Sequence, residues 1–193
     1  MNSKIASLMV LLALGAAARA DALKIDPVHS TVGFKIRHLF ANVTGRFTDV
    51  SGTINVDWDH PENTAVEATI GIQSIDTANA KRDQDLRGSN FFEADKFPAM
   101  TFKSTKVDVK GQEAEVTGDL TLHGVTKEVI LHVKFLGKGK GMKGGLTTGW
   151  EATTQIKRSD YGLTWNKVVE GTAVVGEDVE IDLQIAADEA AAK

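Results

Sequence analysis

Residues 29–38 read HSTVGFKIRH, with an apolar side chain at every second position from Val32 to Ile36. Strict alternation predicts a β-strand with one buried face and one solvated face. The same period recurs along the chain, whereas an all-parallel sheet shows continuous apolar runs because helices cover both of its faces. The pattern therefore predicts an antiparallel all-β chain. The alternating apolar positions form eight segments, at 32–36, 54–58, 66–72, 100–102, 116–122, 129–135, 146–156 and 179–185.

Turn-forming residues separate these segments, and one polar stretch interrupts them. The stretch TANAKRDQDLRG, residues 77–88, predicts a short helix with Thr77 or Asn79 as its N-cap and Gly88 as a left-handed residue after its end. A second short turn is expected at residues 90–92. The turn signals between strands lie at 59–61, 110–111, 123–124, 137–145 and 176–178.

Eight strands with one apolar face each can pack as a sandwich or close into a barrel. Closure removes the exposed strand edges that promote aggregation, so we expect a barrel, with the sandwich as the alternative. We predict one domain over residues 21–193, an eight-stranded antiparallel all-β barrel with a helical insert at about residues 77–92. The interior of such a barrel is either filled by side chains or holds one small ligand.

The first twenty residues have the composition of a secretory signal peptide. Lys4 precedes an apolar run from Ile5 to Ala17, which is too short to span ~30 Å of hydrocarbon with margin. Residues 18–20, Ala-Arg-Ala, then supply the small-x-small pattern that signal peptidases cleave. We therefore expect residues 1–20 to be removed and the mature chain to be exported.

Charge and cysteine content exclude several classes of function. Cleavage removes two of the 22 basic residues and none of the 26 acidic ones, so the net charge falls from −4 to −6. Nucleic-acid-binding domains usually carry a basic surface, so nucleic acid is not expected as a partner. The chain contains no cysteine, which excludes a lipoprotein acylated on that residue and means that stability comes from core burial rather than disulfides.

The five histidines have no spacing typical of a metal site. His29 and His38 differ by nine positions, so on a regular strand they face opposite sides and lie about 30 Å apart. A metal ion needs its ligand nitrogens about 2 Å away. His38 shares the inward parity of Ile36, His132 falls on the outward face, and His123 is expected to hydrogen-bond the backbone in a turn. No G-x-S-x-G or H-E-x-x-H motif occurs, so no catalytic or metal-binding residue is predicted.

A set of motifs spans nearly the whole mature chain, in order. They are DPVHSTVGFKIRH (26–38), GRF (45–47), SIDT (74–77), DLRGSNFF (85–92), FPAMTFKS (97–104), GDLTLHGVTKEV (118–129), RSDYGL (158–163), NKVVEG (166–171) and VGEDVEI (175–181). Together these segments resemble the YceI-like family of exported polyisoprenoid-binding proteins. The resemblance implies a lipocalin-like barrel around an elongated apolar tunnel, and a periplasmic location. It brings no established catalytic residues.

The resemblance implies a lipid carrier that holds the tail of a polyisoprenoid, such as a quinone or a prenyl phosphate, without a resident cofactor. Two alternatives stay open. One is an enzyme or redox partner that acts on a bound quinone or lipid, and the other is a scaffold whose interior is filled by side chains. Transient contact with a membrane and formation of a homodimer are both compatible with the carrier function.

Parity and position give the candidate residues for such a tunnel. The predicted wall residues are Phe34, Ile36, His38, Phe47, Met100, Phe102, Leu120, Leu122, Leu131, Val133, Phe135 and Trp150. The helical insert is expected to close one end and to move when a ligand is loaded. The predicted lid or rim residues are Leu86, Phe91, Phe92 and Trp165. The candidates for contact with a phosphate headgroup are Arg37, Arg46 and Arg158.

Overall fold

The computed structural model describes residues 20–142 and 144–189, so the predicted signal peptide, apart from Ala20, lies outside the described residues. Strands β1 to β6 are Asp21–Ile25, Thr31–His38, Ala41–Phe47, Val50–Val56, Ala65–Gly71 and Ile75–Asp76. Helix α1 is Ala80–Arg87. Strands β7 to β13 are Ala99–Lys110, Glu113–Leu122, Val125–Lys140, Leu146–Lys157, Val168–Val169, Thr172–Ala173 and Val175–Glu189. Within the part of the chain described, no helix has the length and apolarity needed to cross a membrane.

The strands close into an eight-stranded antiparallel barrel, so the barrel prediction is confirmed and the sandwich alternative is wrong. Strand β13 pairs with β10 on one side and, on the other, with β2 near its start and with β1 near its end. β1 and β2 therefore act as one interrupted barrel strand. In the same way, β3 and β4 form a second interrupted barrel strand, and β5 and β6 form a third. The barrel order is β1/β2, β3/β4, β5/β6, β7, β8, β9, β10 and β13.

The two ends of the barrel differ in how they are built. At one end the last residue of β2, His38, pairs with Val175 at the start of β13, and α1 follows β6 nearby. We call this the lid end. At the opposite end the start of β10 pairs with the end of β13, as Thr147 does with Asp188. We call this the aromatic end, after the side chains described below.

Several local predictions differ from the structure. β1 and β3 were not expected, because β1 is short and because in β3 a glycine stands between the inward residues Val43 and Phe47. Residues 176–178 do not form a turn between strands but lie inside β13, where the pairing with β2 shifts register. β9 extends to Lys140, so the loop predicted at 137–145 is shorter than expected.

Helix α1 begins as predicted and ends differently. The Asn79 side chain is the N-cap and accepts a hydrogen bond from the backbone N–H of Arg82 at 3.0 Å. Gly88 has φ −76°, so the predicted left-handed conformation is wrong. The chain does not reverse there, because the Gly88 carbonyl accepts hydrogen bonds from Phe91 and Glu93 and a further turn follows.

Candidate ligand-binding cavity

The inward faces of the barrel strands enclose a cavity of about 1060 Å³ whose wall is mainly apolar. This volume contradicts the scaffold alternative, in which side chains fill the interior. The structure brings all twelve predicted wall residues to the cavity, and their contact with a ligand stays a prediction. They are Phe34, Ile36, His38, Phe47, Met100, Phe102, Leu120, Leu122, Leu131, Val133, Phe135 and Trp150.

The wall also includes inward residues that were not among the candidates. Trp58, Ile54 and Val66 contribute from the β4 and β5 side, and Ile181 and Leu183 contribute from β13. Each of them stands on the alternating apolar parity of its segment. That parity is the signal that could have identified them, since an inward side chain of a closed barrel faces the same interior as every other.

The aromatic end is formed by three packed rings. The centroid of Phe135 lies 4.5 Å from that of Trp150 and 5.8 Å from that of Trp58. The Trp58 indole N–H donates to Oδ2 of Asp21 at 2.8 Å, so the start of β1 holds this ring in place. The Lys138 ammonium lies 3.6 Å from the Trp58 ring centroid, within the range of a cation–π interaction.

The lid end is covered by α1 and the turn that follows it. Leu86, Phe91, Phe92 and Trp165, the predicted lid or rim residues, all line the cavity, and their movement on loading stays a prediction. Phe92 packs edge-on against Phe47 of β3, with ring centroids 5.9 Å apart. Phe91 lies 4.9 Å from Trp165. Aromatic contacts therefore join the residues after α1 to the barrel wall.

Helix α1 itself is attached to the barrel by polar contacts. Arg82 donates to the hydroxyl of Thr77 at 2.7 Å and to its carbonyl at 2.8 Å. The buried Asp83 carboxylate accepts a hydrogen bond from the backbone N–H of Thr77 at 2.9 Å. Arg87 donates to the carbonyls of Gln73 and Ile75 at 2.9 and 2.7 Å. The helix therefore depends on hydrogen bonds to the chain around β6 for its position.

The three candidate arginines for a headgroup occupy three different environments. Arg37 is exposed at the rim of the cavity, and its Nη1 donates to the Leu39 carbonyl at 2.7 Å. Arg46 lies outside the barrel, because it has the opposite parity to Phe47, and its Nη2 is 3.3 Å from Oδ2 of Asp76. Contact between Arg46 and a headgroup inside the cavity is therefore contradicted.

Arg158, the third candidate, is buried. It begins a short 3-10 turn, Arg158–Tyr161, directly after β10, and it lines the cavity near the lid end. Nε donates to the carbonyl of Gly176 at 2.8 Å. Nη1 donates to the carbonyls of Leu163 and Trp165, the latter at 2.9 Å. Only 6% of the residue is exposed.

The histidines occupy separate places, as their spacing indicated. His29 pairs with Asp26 on the surface at 2.7 Å, whereas His38 lies at the cavity rim. His123 is largely buried, with Nδ1 3.0 Å from the Tyr161 carbonyl oxygen and Nε2 3.2 Å from Oε2 of Glu93. In residues 20–142 and 144–189 no three histidine, aspartate or glutamate side chains are arranged as a metal site.

Comparison with known proteins identifies the family. The model of the YceI-like domain matches residues 23–187. The chain belongs to the YceI-like family. Protein YceI of Salmonella arizonae is 42% identical over 158 residues, which cover 80% of this chain and 82% of the relative.

Solved structures support the same fold. Burkholderia cenocepacia BcnA superposes with a TM-score of 0.75 at 23% identity, over 84% of this chain and 98% of BcnA. A polyisoprenoid binding domain from Saccharophagus degradans, implicated in plant cell wall breakdown, has a TM-score of 0.63 at 19% identity. That match covers 89% of this chain and 99% of the domain. At these identities the likeness is one of fold.

Proposed function

We propose that this YceI-like protein is an exported, periplasmic carrier that holds the polyisoprenoid tail of a lipid in its barrel cavity. The observation that carries the proposal is the apolar cavity of about 1060 Å³. Small-molecule pockets typically measure ~300–1,000 Å³ and are lined mainly by apolar side chains. The polyisoprenoid binding domain with the same fold supports the choice of ligand. The apolar run and cleavage pattern in residues 1–20 support the location.

Burial of the tail accounts for binding. A polyisoprenoid tail offers almost only apolar surface, and each Å² removed from water is worth ~25 cal/mol. A few hundred Å² is then worth several kcal/mol, from which the costs of ordering the tail are subtracted. A closed barrel adds little cost of its own, because its cavity exists before the ligand arrives and the protein does not have to reorganise.

An apolar rim at the lid end supports exchange of the ligand with a membrane. Phe40, at the tip of the β2–β3 hairpin, is 93% exposed, and Val168 and Val169 of the β11–β12 hairpin are exposed too. The backbone N–H of Leu39 donates to the carbonyl of Val174 at 2.8 Å, which joins the two hairpins. Leu39 has φ +53°, a left-handed conformation that is unfavourable for a bulky residue. We name Phe40, Val168 and Val169 the apolar rim and propose that it contacts the bilayer during transfer.

Extraction of the purified protein with organic solvent, followed by mass spectrometry, tests the carrier function. A prenyl lipid in stoichiometric amount supports it. If the protein is empty and also takes up no added prenyl lipid, the proposal fails. Light scattering on the same preparation measures its mass, which tests whether the protein forms a homodimer.

Two wall substitutions test where the tail lies. Phe102→Trp and Leu122→Trp add volume inside the cavity and are expected to weaken uptake while the fold persists, at a cost of ~1–3 kcal/mol in stability. Thr101→Trp is the matched control, because Thr101 is exposed beside Phe102 on the same strand. Equal uptake by all three variants and the unmodified protein would place the tail elsewhere.

A further inference from the structure

Arg158 is a buried cation on the wall of an apolar cavity. Its three hydrogen bonds go to backbone carbonyls, of Gly176, Leu163 and Trp165. These bonds tie the loop after the 3-10 turn to the start of β13, and they use only Nε and Nη1. A purely structural role therefore accounts for Nε and Nη1 but gives no function to Nη2.

No carboxylate within the described ranges lies within 4 Å of the Arg158 guanidinium. The acids next to it are engaged elsewhere. Oε1 of Glu177 accepts a hydrogen bond from the backbone N–H of Ser159 at 2.9 Å, and Oδ1 of Asp160 lies 3.6 Å from the ammonium of Lys127. Hydrogen bonding from Ser159 lowers the pKa of Glu177, with a smaller contribution from the charge of Arg158. A buried charge is stable when an opposite charge pairs with it, so this cation lacks the partner it would ordinarily have.

One side of the guanidinium has no hydrogen bond to the protein residues described. Nη2 has no hydrogen-bond partner among the residues described, yet none of their fully buried side-chain nitrogens lacks one. Nη2 is therefore not sealed by protein, and the position of Arg158 on the wall makes the cavity the space it reaches. Two N–H groups of a planar guanidinium are available there.

The charges around the lid end favour an anion. Among the described residues, the cavity wall at this end includes Arg37, Lys81 and Arg82 besides Arg158, against one acid, Asp85. The whole chain carries a net charge of −4, so this cationic cluster is opposite in sign to the net charge of the protein. A cavity whose tail region is apolar and whose end is cationic matches an amphiphile with a negative headgroup.

We propose that Arg158 binds an anionic headgroup, a phosphate or a carboxylate, of the amphiphile whose tail fills the cavity. The proposal rests on the proposed lipid-binding function and specifies the ligand class for it. A neutral headgroup such as a quinone ring would leave the cation without a counter-charge. Charge-assisted hydrogen bonds to a guanidinium are about twice as strong as neutral ones, so a tenfold or greater preference for the anion is expected.

The test compares ligands that share a tail. Dissociation constants are measured by calorimetry for a prenyl phosphate and the matching prenyl alcohol, and for a fatty acid and the matching fatty alcohol. We expect the unmodified protein to prefer the anion at least ten-fold in one pair or both. If only the prenyl pair shows a preference for the anion, the headgroup is a phosphate. If only the fatty pair shows it, the headgroup is a carboxylate. Equal affinities within both pairs overturn the proposal but leave the carrier function intact, whereas no binding of any of the four ligands overturns both.

Variants assign the preference to Arg158. Arg158→Gln is expected to bring the anion-to-alcohol ratio close to one with little change in alcohol affinity, and Arg158→Lys to keep part of it. Arg46→Gln, outside the barrel, serves as the control and is expected to retain the ratio. Loss of the ratio in Arg46→Gln, or its survival in Arg158→Gln, overturns the assignment. If thermal melting shows that Arg158→Gln does not fold, Arg158→Lys takes its place, and an unchanged ratio there counts against the proposal.

Discussion

Gly45 lies directly opposite Phe34 on the neighbouring strand, and a β-carbon at position 45 would lie 2.8 Å from both Cε1 of Phe34 and Cγ2 of Thr77. The phenyl ring thus occupies the space that a side chain at position 45 would need. Both strands turn these positions inward, and Phe34 lines the cavity. The absence of a side chain at Gly45 therefore determines where the ring lies and how wide the cavity is near the lid end.

Gly45→Ala is expected to displace the Phe34 ring, to lower stability by ~1–3 kcal/mol and to weaken ligand uptake. Urea unfolding and a lipid-uptake assay measure the two effects. Gly139→Ala is the matched control, because nothing lies within 4 Å of a β-carbon built there. Similar unfolding midpoints for the two variants would contradict the role given to Gly45.

Asp83→Ala is expected to loosen α1. The substitution removes the acceptor of the buried Thr77 N–H, which costs ~1–3 kcal/mol when the donor stays unpaired. Amide hydrogen exchange in residues 80–87 should become faster. Asp85→Ala is the control, since Asp85 is an exposed acid of the same helix, and it should change stability by less than ~0.5 kcal/mol. Equal exchange rates in both variants would count against this anchor.

His123→Ala is expected to release the segment after α1. The imidazole connects the β8–β9 turn with Tyr161 and Glu93, and its ring packs edge-on against Phe97 with centroids 4.6 Å apart. Loss of two hydrogen bonds of ~1 kcal/mol each predicts a destabilisation of roughly 2 kcal/mol. Faster hydrogen exchange at residues 93–98 is the local readout. His132→Ala on the exposed face should leave both measurements unchanged.

Tyr161 is the single tyrosine of the chain, so an alkaline absorbance titration reports on it alone. Burial, with a smaller contribution from the charge of Asp160, raises its pKa from 10.0 to about 12. The folded protein keeps the phenol proton to higher pH than the unfolded chain does. The stabilisation is therefore complete below pH 10.0 and is lost as the pH rises toward about 12, by up to ~1.4 kcal/mol per pH unit. A midpoint near 10.0 in the folded protein would refute this expectation.

The double variant Phe40→Ser and Val169→Ser tests the apolar rim. It is expected to slow transfer of a prenyl lipid from vesicles several-fold, while affinity for the same lipid in solution stays the same. Ile130→Ser is the control, because Ile130 is an exposed apolar residue on β9, a strand outside both rim hairpins. A double variant that transfers lipid as fast as the control would show that the rim does not contact the bilayer.

The period of two in the sequence was sufficient to predict an antiparallel all-β chain and the residues of the wall, since parity alone decides which side chains of a closed sheet face inward. The choice of a barrel over a sandwich needed the further argument that closure removes exposed strand edges. It did not predict that β1 and β2 form one interrupted strand, because that depends on which part of β13 each of them meets. The burial of Arg158 was missed for a related reason. The residue follows β10 in an irregular turn, where parity no longer applies, and its carbonyl partners at 163, 165 and 176 come later in the chain.

The way α1 is fastened has a thermodynamic consequence. Arg82 and Arg87 hold the helix through the Thr77 hydroxyl and three backbone carbonyl oxygens, and water can replace each of those hydrogen bonds when the helix moves outward. This movement exposes few apolar side chains of the helix to water. The heat capacity of the protein rises with the apolar area that is exposed, so the rise here is small. We therefore expect the outward movement of the helix alone, before any tail enters, to show a heat-capacity change far smaller than that of global denaturation.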